Sequence, residues 1–416
     1  MAKEEDIIVE DLSGGLRLVY MHRRDARAGI LGVAVRAGSA DDGDGREGLA
    51  HFVEHTIFKG TQKRSSWHII NRMESVGGEL NAYTGKEETV VYTVFPSGEA
   101  ARGAELVADL IVNSRFPERE LAKEREVVGD EIDSYLDTPS EAVFDDFEDL
   151  MFAGSPLGHN ILGSRATLER FTPEVCREYL RTNYMRSNMV VFYCGGRTLK
   201  AIRAICERAF AEVPCGPETP CGAESVLCQS APFDITKAVE THQSNTVIGC
   251  RVPGLYSADR HAVALLANIL GGPGMNSLLN VELRERRGLV YSVEASTTMF
   301  SSGGALCVYY GCDPGDNRRC RNLCISVAEK LAEKGLGERR LEAAKKQYLG
   351  QMLIAGENRE NRILAAARSV LFRGHAPTLA ESGAAIASVS NDELRRLAAR
   401  LADEHSVLSL APEREA

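Results

Sequence analysis

Residues 48–61 read GLAHFVEHTIFKGT and set His51, Glu54 and His55 in the arrangement H-x-x-E-H. On a helix, side chains three and four positions apart share a face, with Cβ atoms roughly 5–6 Å apart. His51 and His55 can then offer two imidazole nitrogens to one metal ion, at the roughly 2.0–2.1 Å that suits zinc. Glu54 lies at the edge of the same face, where it can reach a water molecule without taking a coordination position. That is the layout of a hydrolytic metal site with its own general base. The competing reading is an amphipathic helix with two incidental histidines, and the surrounding chain weighs against it.

Outward from this stretch, Ile7–Tyr20 reads as strand, turn and strand, with Gly14-Gly15 at the turn. Ile30–Arg36 is a strand, and a loop of small and acidic residues, Gly38–Gly45, leads into the histidine helix. After it come a helix from Ser66 to Val76 and a hairpin, Glu79–Phe95, folded at Gly85. A helix spans Glu99–Ser114. Pro117 then opens a long acidic helix, in keeping with proline at a first helical position, and that helix stops before Pro139. Residues 213–233 hold Pro214, Pro217, Pro220 and Pro232 with Gly216 and Gly222, the composition of a linker.

Beyond the linker the pattern repeats. VIGCRVPGLYSADRHAVALLANIL echoes LGVAVRAGSADDGDGREGLAHFVEHTIF, and SVSNDELRRLAARLADEHSVLSL echoes RFTPEVCREYLRTNYMRSNMVVFYC. Pairing Thr172 with Asn391 and Asn188 with Ser406 gives offsets close to 218 residues. The expectation is a duplicated α+β fold: two homologous domains, each a mostly antiparallel sheet with helices packed on it. Their bounds are 1–213 and 233–416, with residues 214–232 as linker. The second copy has Val263-Ala264-Leu265-Leu266 where the first has its histidines, so only the first can hold this metal.

Catalytic zinc takes three protein ligands and a water, and two histidines leave the set incomplete. On the acidic helix, Glu124 and Glu131 are seven apart and share a face flanked by Leu121, Val127, Val128 and Ile132. A carboxylate on a buried face needs a partner. Spacing alone does not choose between the two.

The chain has 416 residues, 44% hydrophobic and 26% charged, and a formal net charge of −10. That balance fits a soluble globular protein. It disfavours nucleic acid or an anionic membrane as a partner, since both call for a basic surface. No apolar run approaches the roughly 18 residues of a membrane span, and the start, MAKEEDIIVEDLSGG, lacks a secretory apolar region. With eleven cysteines and no such leader, free thiols in a reducing cytoplasm are expected. Cys320 and Cys324, and Cys215, Cys221 and Cys228, form no C-x-x-C pair. Trp67, the only tryptophan, reads as a packing residue.

Taken together, the sequence resembles the pitrilysin-type inverzincin metallopeptidases, in the branch of the mitochondrial processing peptidase and its bacterial half-size relatives. GLAHFVEHTIFKGT is similar to that family's zinc helix and implies His51 and His55 as ligands and Glu54 as base. EREVVGDEIDSYLDTP matches the family's later helix. It implies Glu131 as third ligand, with Glu124 as the supporting acidic residue. GGELNAYTGKEETVVYTV resembles the active-site edge strand, where Asn81 and Ala82 would receive an extended peptide by strand addition. In LGGPGMNSLLNVELRERRGLVYSV, Gly271, Gly272 and Gly274 resemble the family's glycine-rich loop. Arg284 and Tyr291 there resemble its arginine–tyrosine pair, which contacts substrate and the reacting carbonyl.

The resemblance implies a zinc endopeptidase holding one Zn²⁺ per chain, acting on unfolded peptides or flexible segments inside a homodimeric chamber. In such dimers the arginine–tyrosine pair would serve the partner's zinc. A non-catalytic scaffold or assembly subunit of the same fold is the alternative, and it would have lost a ligand or the base.

Overall fold

Runs of β-branched and aromatic residues, broken by glycine and proline, make two sheets. The computed structural model describes residues 7–217 and 231–413. Most of the expected linker, with Cys221 and Cys228, therefore falls outside the described residues. The first sheet contains β1 (Ile7–Asp11), β2 (Arg17–His22), β3 (Ala28–Val35), β4 (Glu79–Thr84), β5 (Thr89–Pro96) and β6 (Met189–Gly195). They lie in the order β1-β2-β6-β3-β5-β4, with β2 and β6 parallel and every other neighbouring pair antiparallel. The second sheet contains β7 (Asp234–Ala238), β8 (Ser244–Val252), β9 (Val290–Met299), β10 (Gly304–Cys312) and β11 (Ser406–Ala411). Its order is β7-β11-β8-β10-β9, again with one parallel pair, β7 and β11. Without β1, the first sheet has the same order and the same strand directions as the second.

The duplication is also sharper than its sequence signal. The residue capping the helix before β11 is Ser390, not Asn391; its side chain accepts from Glu393 N as that of Thr172 accepts from Val175 N. With Ser390 as the counterpart of Thr172, that offset becomes 218, the same as for Asn188 and Ser406.

The two compact units are discontinuous in sequence, which differs from the contiguous halves expected. Among the described residues, the first falls within Met1–Ile132, Asn160–Gly222 and Ala355–Thr378, and the second within Asp133–His159, Ala223–Ile354 and Leu379–Ala416. In the first, the Arg359–Arg373 helix packs on β2, β3 and β6. In the second, the Pro139–Met151 helix packs on β8 and β11. These helices are counterparts at the repeat offset, so the two halves have exchanged equivalent helices. The exchange explains why central strands are apolar on both faces, as in a sheet covered on each side. In β3, Leu31, Val33 and Val35 join the first core, and Ile30 and Ala34, on the opposite face, are buried as well.

The histidine helix spans Leu49–Thr56 and continues as a 3-10 turn, Ile57–Lys59. Leu49, Ala50, Phe52 and Val53 bury one side of it in the first core. Its entry is set by Gly48, whose φ of +96° is a left-handed conformation that glycine adopts freely. A Cβ there would also lie 2.6 Å from the Leu162 carbonyl oxygen. Asp42 caps the helix from the preceding loop, accepting from Gly48 N and Ala50 N, each at 2.7 Å. Such a cap is worth about 1 kcal/mol, and here it fixes the direction of the helix that carries the histidines.

Candidate metal centre

His51 is buried and His55 half-buried on the histidine helix, their rings 4.5 Å apart centre to centre. The acidic helix, Glu118–Leu136, runs beside them. Glu131 Oε1 lies 3.8 Å from His51 Nε2, and Glu131 Oε2 lies 3.4 Å from His55 Nε2. These three residues are the group of possible ligands found among the described residues, with all three donor atoms within 4.8 Å of one another. Nitrogen and oxygen ligands about 2.0–2.1 Å from a tetrahedral zinc lie about 3.3–3.4 Å from each other. The donor set therefore fits zinc in kind; the His55–Glu131 separation matches that spacing and the His51–Glu131 separation is a few tenths of an ångström wider. Burial, with His55 beside it, lowers the His51 pKa to about 3, so its ring is neutral as a ligand must be.

Glu124, one helical face from Glu131, is buried and takes a different part. Its Oε1 accepts from His55 Nδ1 at 3.1 Å, and its Oε2 pairs with Lys59 Nζ at 2.7 Å. The bond fixes the tautomer of His55 and leaves Nε2 free to face Glu131, the usual arrangement behind a metal-bound histidine. Burial opposes ionisation of Glu124, but the bonds from His55 and Lys59 hold its carboxyl below the ordinary range. His55 is raised: its burial is outweighed by the bond to Glu124 and by the charges of Glu131 and Glu54. Asp130, adjacent in sequence to Glu131, is exposed and pairs with Arg165 at 3.2 Å. Val127, expected on the buried side, is 52% exposed.

Glu54 projects from the same helix and accepts from the Thr84 hydroxyl at 2.6 Å. Burial raises its carboxyl pKa, Thr84 and His55 pull it back, and Glu131 raises it further. A carboxyl lifted toward neutrality is better matched to proton transfer. Thr84 ends β4, the strand of Asn81 and Ala82. Among the described residues β4 pairs only with β5 and is the open edge of its sheet. Asn81 and Ala82 are half-buried and face Tyr92 and Val91 in the register.

Lys59 and Thr84 were not singled out in the sequence. Lys59 is four residues after His55, on the same face, and that spacing was a signal for it. Thr84 closes the NAYT run, and only the fold shows that this end of the strand meets Glu54. Trp67 is 65% exposed on the first turn of its helix and does not pack in the core.

The remaining candidates lie in the second unit. Gly271 ends the Arg260–Gly271 helix, where a Cβ would come 2.5 Å from the Ala295 nitrogen of β9; the glycine permits that close packing. Gly272 and Gly274 follow in the turn, and the Gly274 carbonyl accepts from Ser277 N. Arg284 is exposed on a short π-helical turn, Asn280–Glu285. Tyr291 is 57% exposed on the edge strand β9, and its hydroxyl donates to Asp313 Oδ1 at 2.8 Å. That bond to a carboxylate raises the phenol pKa.

A repeated α+β architecture thus brings two histidines and a carboxylate together beside a glutamate, the donor set of a metal centre. Residues 17–165 match the family model for insulinase, peptidase family M16, and residues 170–348 match the model for the peptidase M16 inactive domain. An uncharacterized zinc protease of Streptomyces coelicolor is 31% identical over 395 residues, 93% of this chain and 85% of that protein. One from Mycobacterium tuberculosis is 31% identical over 396 residues, 94% of this chain and 89% of that protein. The chain belongs to peptidase family M16. A protease of known structure from Helicobacter pylori has the same fold, with a TM-score of 0.89 at 18% identity, covering 98% of this chain and all of that one. Among the described residues no helix is long and apolar enough to cross a membrane.

Proposed function

We propose that the protein is a zinc-dependent endopeptidase that cuts unfolded peptides or flexible segments inside a homodimeric chamber in the cytoplasm. The observation that carries this reading is the convergence of His51, His55 and the Glu131 carboxylate, whose donor atoms lie within 4.8 Å of one another. These three residues would hold one Zn²⁺ per chain. The metal, when bound, would polarise the scissile carbonyl and acidify water at neutral pH. Glu124, braced by Lys59, keeps His55 in the ligating tautomer. A peptide adds to the open edge of β4 through main-chain hydrogen bonds at Asn81 and Ala82. Glu54 takes the proton of the attacking water and delivers it to the leaving amine nitrogen. Thr84 links the strand that receives substrate to the carboxylate that moves the proton.

Arg284 and Tyr291 are assigned to the developing oxyanion, supplied by one protomer to the metal centre of its partner. One such donor is worth about 2.7–4 kcal/mol. Mixing two inactive proteins tests this division. A Glu54→Gln protomer keeps the arginine–tyrosine pair; a protomer with Arg284→Ala and Tyr291→Phe keeps the base. Each alone is expected to be nearly inert, and mixing under subunit exchange is expected to restore peptide hydrolysis. No recovery at any ratio, despite formation of mixed dimers, would contradict supply of the pair across the dimer.

A further inference from the structure

The second unit contains a cavity of about 800 Å³ that the proposed reaction does not use. It lies between the turn after the Arg260–Gly271 helix and the Asn317–Lys334 and Glu338–Gly356 helices. Its floor is apolar, with Ile269, Val281 and Leu331. Its rim is cationic: Lys330, Lys334 and Arg340 are exposed and make no ion pair among the described residues. The lining acid, Glu282, is taken up by Arg286 at 3.2 Å and Arg287 at 2.6 Å. A chain with a net charge of −10 thus presents a local cluster of uncompensated positive charge over an apolar hollow. That combination calls for an anionic group carried on an apolar body, and the volume falls in the range of ligand pockets, about 300–1,000 Å³.

Amides complete the lining and narrow the choice. Asn276 and Gln347 bond each other reciprocally at 3.0 and 3.1 Å, and Asn268 donates to Gln351 at 2.7 Å. An alkyl chain laid over these groups would take their remaining polar capacity out of water without replacing it, which is costly. A peptide brings its own donors and acceptors. We propose that this cavity binds the free C-terminal end of a peptide whose last residues are apolar. The terminal carboxylate meets Lys330, Lys334 and Arg340, and the last side chains enter the apolar floor. Such ends are what a peptidase encounters on substrates and generates on products, and for that source the inference rests on the proposed activity. The binding itself does not. Val281 and Glu282 share their helical turn with Arg284, so an occupant would touch the segment that carries that arginine.

The test is calorimetric titration of chelator-treated, metal-free full-length protein with acetyl-Ala-Leu-Phe-Leu as the free acid and as the C-terminal amide. The acid is expected to bind about tenfold tighter than the amide, a difference of about 1.4 kcal/mol. A variant combining Lys334→Glu and Arg340→Glu, both exposed and outside the metal centre, should lose that preference while keeping its circular dichroism spectrum. Equal binding of acid and amide, or a preference that survives charge reversal, would overturn the proposal. Failure of the zinc-loaded protein to cut peptides would overturn the peptidase reading and leave this result standing.

Discussion

Glu54→Gln is expected to lower kcat for peptide hydrolysis by about 10²–10⁴-fold, the usual contribution of a positioned acid–base group, with zinc content unchanged. The substitution keeps the shape of the side chain. Its amide oxygen can still accept from Thr84, whose hydroxyl now bonds Glu54 at 2.6 Å. It also leaves the His51, His55 and Glu131 group intact. What it removes is the capacity to take a proton and give it back. Parallel measurement of zinc by mass spectrometry and of hydrolysis with a quenched-fluorescent peptide checks the prediction. A zinc-loaded Glu54→Gln protein with ordinary turnover would show that another group is the base.

Replacing Glu131 by alanine is expected to cost more in metal than in fold. It deletes the carboxylate that faces both imidazole nitrogens, at 3.8 and 3.4 Å. Loss of a group that only orients a ligand costs about 10–100-fold in metal affinity, so loss of a ligand should exceed that. Zinc should no longer raise the melting temperature of the variant, since a ligand stabilises only a fold that binds it. Asp130→Ala is the internal control. Its carboxylate is exposed and paired with Arg165, and its removal should change neither zinc affinity nor activity. Titration with a competing chelator gives the affinities. Equal losses for the two variants would contradict the assignment of Glu131.

The part of the site built on local spacing was readable from the chain. A single helix sets His51, Glu54 and His55, and a seven-residue step on a second helix sets Glu124 and Glu131, so periodicity was enough to bring them forward. Spacing did not choose between those two glutamates; the family resemblance pointed to Glu131, and the packing of one helix on the other puts Glu131 before the imidazoles and Glu124 behind one of them. Thr84 was hidden for the same reason: 30 residues separate it from Glu54, and only strand β4 laid along the histidine helix joins them. The strands of the first sheet followed from β-branched runs and turn residues, whereas β7 and β10 of the second were not singled out. The exchange of the Pro139–Met151 and Arg359–Arg373 helices did not, because an amphipathic helix records that it has an apolar face without recording which sheet covers it. Val127 shows the limit of reading a face by spacing, since it borders the buried side and still points to solvent.

Zinc content and peptide hydrolysis measured on one sample of the wild-type protein test the central claim most directly. About one zinc per chain, hydrolysis of a quenched-fluorescent peptide library, loss of activity with chelator and its return with added zinc are the expected result. A protein that binds one zinc per chain and cuts no peptide in the library would contradict it.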